Sequence, residues 1–126
     1  MTLVHGEFDV SVEGNIIHIV MAGSFNEYTI EAISKLIEQA IVGLENRPFY
    51  MLIDIRHVDG GTPEAYEASA EFNLWLDQQN LVAKALITKS VLFQQINESR
   101  VREHSSQRVA YFDNVDAAKR WFESFE

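Results

Sequence analysis

An unbroken apolar run, Phe49–Ile53, is the central feature of the hydrophobic pattern. A short β-rich run without alternation is typical of a strand covered on both faces, so we predict that it forms the central strand. Polar residues and Gly60-Gly61 follow this run. The next three residues, Thr62, Pro63 and Glu64, match a helix N-cap, a proline at the first helical position and an acid in the first turn. In open α/β sheets, a loop between such a strand and helix is where ligands tend to bind.

The residues before this run predict a hairpin and a helix. Polar and apolar residues alternate over residues 7–13, as in an edge strand with one face in water. Gly14-Asn15 suits a two-residue turn, and Ile16–Ala22 is predicted to return as the second strand. Ser24 or Asn26 then caps a helix. Its apolar stripe has spacings of three and four: Ile30, Ile33, Ile37, Ala40, Ile41 and Leu44.

The residues after the run alternate between helix and strand patterns. We predict a helix over 62–79, a strand over 82–88, a helix over 91–103 and a strand over 107–112. Asp113-Asn114 then forms a turn and caps a final helix. Lys84 interrupts the fourth strand and is expected to point to a partly exposed face. The order ββαβαβαβα predicts an α/β fold with a mixed sheet, in which an antiparallel hairpin is followed by right-handed parallel crossovers.

Composition limits the class of protein. A chain of 126 residues, 47% of them hydrophobic, fits one domain over residues 1–126. The net charge of −9 argues against nucleic acid as a partner. No apolar run approaches the ~18 residues of a membrane span, Met1–Glu7 lacks a signal-peptide pattern, and cysteine is absent, so we expect a cytoplasmic protein.

Fourteen aromatic residues and an apolar hairpin edge favour a homodimer.

Four polar residues at the end of the central strand form the one candidate catalytic group: Asp54, Arg56, His57 and Asp59. A histidine beside carboxylates could act as a general base. Alternation, however, would send Asp54 and Arg56 to one face and His57 to the other, and the group contains no nucleophile. We therefore expect that either an ion pair between Asp54 and Arg56 or hydrogen bonds to the backbone steady the loop, and we expect no enzyme activity.

Metal and cofactor motifs are not found in the sequence. The four histidines, at positions 5, 18, 57 and 104, are far apart, and no two have the helical spacing of metal ligands. Gly60-Gly61 lacks the spacing and the lysine of a phosphate-binding loop. His18 lies within an apolar strand, and we expect it to be a hydrogen-bonded core residue. Neither a metal nor a cofactor is predicted.

Two pairs of segments stand out in the sequence: Leu52–Arg56 with Gly61–Ala65, and Val109–Phe112 with Ala117–Trp121. These segments resemble those of the small stand-alone SpoIIAA-like, or STAS-like, family of bacterial proteins. The resemblance covers nearly the whole chain and implies the fold of the anti-sigma-factor antagonists. Those antagonists carry a phosphorylated serine at the start of the second helix, where this chain has Thr62 as its only hydroxyl. We expect Thr62 to be an N-cap rather than a phosphoacceptor.

Small residues in the early turns of the second helix leave room for a ligand, or let the helix lie close to the sheet. By structural comparison, the stand-alone family is associated with lipid or apolar ligands. A binding or regulatory module holding a small apolar ligand is therefore our first hypothesis, and a protein-interaction module of the antagonist type is the alternative. The candidate ligand-binding residues are Gly60, Gly61, Thr62, Ala65, Phe72, Trp75 and Phe93.

Overall fold

One five-stranded sheet, in the order β1-β2-β3-β4-β5, organises the computed structural model, which describes residues 6–90 and 107–126. The first two strands are antiparallel, and β2 to β5 are parallel. The predicted α/β fold is thus confirmed, and the predicted helix over 91–103 lies outside the described residues. The elements are β1 (Glu7–Glu13), β2 (Ile16–Phe25), α1 (Glu27–Gly43), β3 (Phe49–Gly61), α2 (Pro63–Leu76), β4 (Leu81–Ile87), β5 (Val109–Phe112) and α3 (Val115–Glu123).

The central strand β3 divides its apolar run between two cores. Phe49 and Met51 pack with Ile33 and Ile37 of α1 on one face of the sheet. Tyr50 and Leu52 instead belong to the core beneath α3 on the other face. A strand with helices on both sides buries every successive side chain, which explains the absence of alternation in its sequence.

Three polar side chains define the starts of the helices. Asn26, not Ser24, caps α1, and its Oδ1 accepts from the Thr29 N–H at 3.0 Å. Thr62 Oγ1 accepts from the Ala65 N–H at 3.1 Å at the start of α2, and Asn114 Oδ1 accepts from the Ala117 N–H at 2.8 Å. Each bond satisfies one of the N–H groups that a helix start leaves unpaired. The predicted caps at Thr62 and Asn114 are therefore confirmed.

The strand β3 continues beyond its predicted end and contains a bulge. Val20 of β2 pairs with Asp54, but Ala22 already pairs with His57, so β3 contains one extra residue there. Such an insertion reverses the alternation of side chains beyond it. His57 consequently returns to the face of Asp54, and the expectation that these two side chains lie on opposite faces is wrong.

An ion pair between Asp54 and Arg56 lies at this bulge. The backbone N–H and Nε of Arg56 donate to Asp54 Oδ1 at 3.1 and 3.0 Å, and Nη2 donates to Oδ2 at 2.7 Å. Asp54 is only 6% exposed. The hydrogen bonds from the Arg56 side chain hold the pKa of the Asp54 carboxyl below its usual range. The predicted structural pair is present and binds the two ends of the bulge together.

We expect Asp54→Asn to reduce the free energy of unfolding at neutral pH by about 1–2 kcal/mol, since a charged acceptor is lost and Arg56 is partly solvated. Because the folded pKa is lowered, this contribution is present above the unfolded pKa, about 4, and is lost as the pH falls through the folded pKa. Urea unfolding at several pH values measures the difference between the two proteins.

The exposed carboxylate of Asp59 offers a matched control nearby. Asp59→Asn should change stability by less than about 0.5 kcal/mol at every pH. A difference between wild type and Asp54→Asn that stays constant through the acid range would contradict the assigned role of the Asp54 charge.

Candidate functional site

A cavity of about 430 Å³ lies between the sheet and the helix pair α1 and α2. Its walls are mostly aliphatic and come from both helices and from four strands. The apolar lining includes Ile19, Met21, Ile30, Ile33, Ile37, Met51, Ile53, Ile55, Val58, Phe72, Leu76, Leu86 and Val109. The β3 bulge contributes directly, because the extra residue lets both Ile55 and Val58 face the cavity.

Small residues at the start of α2 open one end of the cavity. Gly61, Ala65 and Ser69 line it, so this side of the helix presents little volume to the sheet. A Cβ at Gly61 would lie 3.5 Å from both the Ala65 Cβ and the Phe25 carbonyl oxygen, which is ordinary contact. Tyr66 also lines the cavity and is 65% exposed, which places it at the solvent side.

Lys84 provides a charged group inside this apolar space. It lies on β4 opposite Met51 and Val109, is 6% exposed, and donates from Nζ to Asn73 Oδ1 at 2.9 Å. Gln107 Nε2 donates to the Asn73 carbonyl oxygen at 2.9 Å, so three polar residues meet at this part of the wall. The expectation that Lys84 points to a partly exposed face is wrong, because the strand directs it beneath α2.

The candidate ligand-binding residues occupy different places. Gly60, Gly61, Ala65 and Phe72 line the cavity. The Thr62 hydroxyl is engaged in capping α2, whereas Trp75 stacks on Phe72 at 5.4 Å between ring centroids and packs against the core. Phe93 lies outside the described residues. A ligand-binding role for these seven residues stays a prediction, as does the expectation that Thr62 is not a phosphoacceptor.

The polar group at the end of β3 lies apart from the cavity. Asp54 is bonded to Arg56 on the opposite face of the sheet, and the His57 and Asp59 side chains are exposed. The Asp54 and Arg56 pair stabilises the strand, and Asp54, Arg56, His57 and Asp59 do not line the cavity. Over residues 6–90 and 107–126, no three potential metal-ligating side chains cluster.

The hydrogen bonding of His18 differs from the prediction. Its Nε2 is buried and has no hydrogen-bond partner within the described part of the chain, so the expected hydrogen bond is not found at this nitrogen. The residue faces away from the cavity, because its neighbours Ile17 and Ile19 belong to the core beside α1.

Length and polarity exclude a membrane span for every helix within residues 6–90 and 107–126.

Two of the solved structures that match this chain share its architecture. An uncharacterised protein with a SpoIIAA-like fold from Shewanella loihica PV-4 is similar with a TM-score of 0.78 and 18% identity, over 96% of this chain and 98% of that protein. The anti-sigma-factor antagonist SpoIIAA in its unphosphorylated form is similar with a TM-score of 0.62 and 11% identity, over 94% and 98% of the two chains. At such identities the likeness shows the fold alone.

Sequence comparison identifies the family. No curated protein matches the chain. The sequence profile of the SpoIIAA-like family, however, matches residues 16–123, which extend from the start of β2 to the end of α3. The match includes every strand that lines the cavity and both helices that cover it. The chain therefore belongs to the SpoIIAA-like family.

Proposed function

We propose that the protein is a non-enzymatic binding module that holds a small apolar or lipid-like ligand between α1, α2 and the sheet. The cavity of about 430 Å³ carries this proposal. Small-molecule sites are mostly apolar clefts of roughly 300–1,000 Å³ with a few placed polar groups, and this cavity has that size and character.

The apolar lining supports the same function, because its side chains stay partly in contact with water until a ligand covers them. Removing apolar surface from water contributes about 25 cal/mol per Å², and aliphatic walls would supply most of the affinity for an apolar ligand. The Asp54 and Arg56 pair lies across the sheet from this space, which favours binding over catalysis.

Filling the cavity should abolish binding of an apolar probe. Ser69 lines the cavity from the middle of α2, and Ser69→Phe would place a ring in it. We expect wild type to bind Nile red with a saturable rise in fluorescence, and the variant to bind at least about tenfold more weakly, a difference near 1.4 kcal/mol.

The adjacent Ala70 is exposed and offers a matched control on the same helix. Ala70→Phe adds a similar ring outside the cavity and should bind Nile red as wild type does. Circular dichroism checks that both variants fold. Equal Nile red affinity in wild type and folded Ser69→Phe would contradict a ligand site in this cavity.

The outer surface of the helix pair favours the alternative function, docking of a protein partner. Tyr28 and Leu36 on α1 are 42% and 38% exposed, and Tyr66 and Leu74 on α2 are 65% and 59% exposed. Both pairs are eight residues apart, about two helical turns, so each forms a stripe along its helix. The two helices run in the same direction on one face of the sheet and contact each other, which places the stripes side by side.

Charge around this two-stripe surface indicates the chemistry of the partner. The helices carry six glutamates against one lysine: Glu27, Glu31, Glu38, Glu64, Glu67, Glu71 and Lys35. A second copy of the chain would bring like charges together, whereas an amphipathic helix with apolar residues flanked by lysine or arginine would complement the surface. The proposed partner is a protein segment of that kind. Homodimerisation stays a separate prediction and would use a different surface.

A synthetic helical peptide with leucines on one face and flanking lysines tests this surface. Tyr66→Ser with Leu74→Ser should weaken its binding by at least about tenfold in fluorescence anisotropy, because two exposed apolar contacts are removed. Val42→Ser is the control, since Val42 is 76% exposed near the end of α1 and outside the stripes. Equal binding by both variants, or equal binding of a scrambled peptide of the same charge, would contradict partner docking at this surface.

A further inference from the structure

We propose that the outer edge of β1 binds an extended segment of a partner protein, in which basic and apolar residues alternate, as an added strand of the sheet. This edge is separate from the cavity, whose described lining comes from β2 to β5 and the helix pair. The proposal therefore adds a second binding surface to the protein and does not depend on the proposed small-molecule ligand.

The backbone of β1 offers hydrogen-bonding groups on one side. The strand pairs with β2 along its whole length, from Glu7 opposite Ala22 to Glu13 opposite Ile16, without a bulge. Within the described residues, no strand pairs with its other side. An edge strand directs N–H and C=O groups away from the sheet, where a further strand can bond them. The seven residues of β1 contain no proline or glycine, so this edge is regular.

The two faces of β1 differ in polarity. On the face toward α1, Phe8 and Val10 pack against the core, and Val12 is 48% exposed. The side chains of the other face are polar and exposed: Glu7, Asp9, Ser11 and Glu13. Because side chains alternate along a strand, an added strand that matches both faces has apolar residues at alternate positions and polar residues between them.

Charge on the polar face indicates that these polar residues are basic. Glu7 and Asp9 lie opposite Ala22 and Val20 of β2, which carry no charge. Glu13, by contrast, accepts from Lys119 Nζ at 3.1 Å. Among the described residues, neither Glu7 nor Asp9 forms an ion pair. Lysine or arginine on an added strand would lie directly opposite these two acids, and such cross-strand pairs of opposite charge stabilise a sheet.

A second copy of the chain does not fit this edge. Two β1 strands paired antiparallel about Val10 would place Glu7 opposite Glu13 and Asp9 opposite Ser11. Like charges directly opposite each other destabilise a strand pair. The acids of β1 therefore disfavour edge-to-edge pairing of identical chains, while they favour a basic segment.

Fluorescence anisotropy with a labelled peptide of alternating lysine and valine, of the seven-residue length of β1, tests the proposal. We expect saturable binding to wild type, and at least about tenfold weaker binding of a peptide with glutamate in place of lysine. Glu7→Gln with Asp9→Asn should weaken binding of the lysine peptide by a similar factor. Both residues are exposed, so the variant should fold, which circular dichroism checks.

A matched control removes the same charge from a different surface. Glu67 and Glu71 are exposed on α2, beside the surface proposed to dock a basic helix. Glu67→Gln with Glu71→Gln should bind the lysine and valine peptide as wild type does. Weaker binding by this control than by the β1 variant would place the peptide on the helix pair and overturn the proposal.

Two N-methylated forms of the peptide separate strand addition from attraction by charge alone. In a strand, the N–H groups of the lysines and those of the valines point to opposite edges. Methylating one set should weaken binding at least about tenfold, and methylating the other set should not. Equal affinity of the two methylated peptides, or unchanged binding by Glu7→Gln with Asp9→Asn, would overturn the proposal. Binding of Nile red is measured independently, so either result leaves the proposed cavity function intact.

Discussion

The burial of β3 on both faces is the constraint on which the structure depends. Its residues Phe49 and Met51 anchor the core beside α1, and Tyr50 and Leu52 anchor the core beneath α3. A slip in register by one residue would move each of these two sets of side chains to the opposite face of the sheet. The bulge after Asp54 is therefore placed where the two-sided core ends, and the Asp54 and Arg56 pair holds it there. The same bulge directs Ile55 and Val58 into the cavity, so one irregularity serves both stability and the site.

The cavity results from small side chains at positions where a helix usually packs large ones against a sheet. A helix laid against a sheet normally fills the space between them with large side chains, as Phe72 and Leu76 do toward the end of α2. The first turns of α2 instead carry Ala65 and Ser69, and the strand before them ends in glycines. The resulting space costs apolar contacts that a bound molecule would restore.

Much of the fold could be predicted because local signals and burial agreed. The apolar run Phe49–Ile53, the caps at Thr62 and Asn114 and the stripe of α1 each follow from rules that involve near neighbours in sequence. The β3 bulge could not be predicted, because an alternating sequence does not show where one extra residue is inserted. The predicted side of the sheet for His57 was consequently wrong.

The candidate site was predictable only in part. The glycines and small residues before and within α2 indicated space, and Gly60, Gly61, Ala65 and Phe72 do line the cavity. The predicted exposure of Lys84 was wrong, because a lysine in a strand usually reaches solvent. Its burial depends on α2 lying directly above it, which is a tertiary contact. The apolar residues next to Lys84 in sequence, Ala83 and Ala85, were a signal for its burial, and both are fully buried.

The central claim is that the cavity between α1, α2 and the sheet holds a small molecule. Native mass spectrometry of the protein purified from cells without denaturation tests this claim most directly. We expect a species heavier than the 14.4 kDa chain by the mass of one small molecule, which is released on denaturation. Detection of the bare chain alone, at every mild desolvation setting, would contradict it.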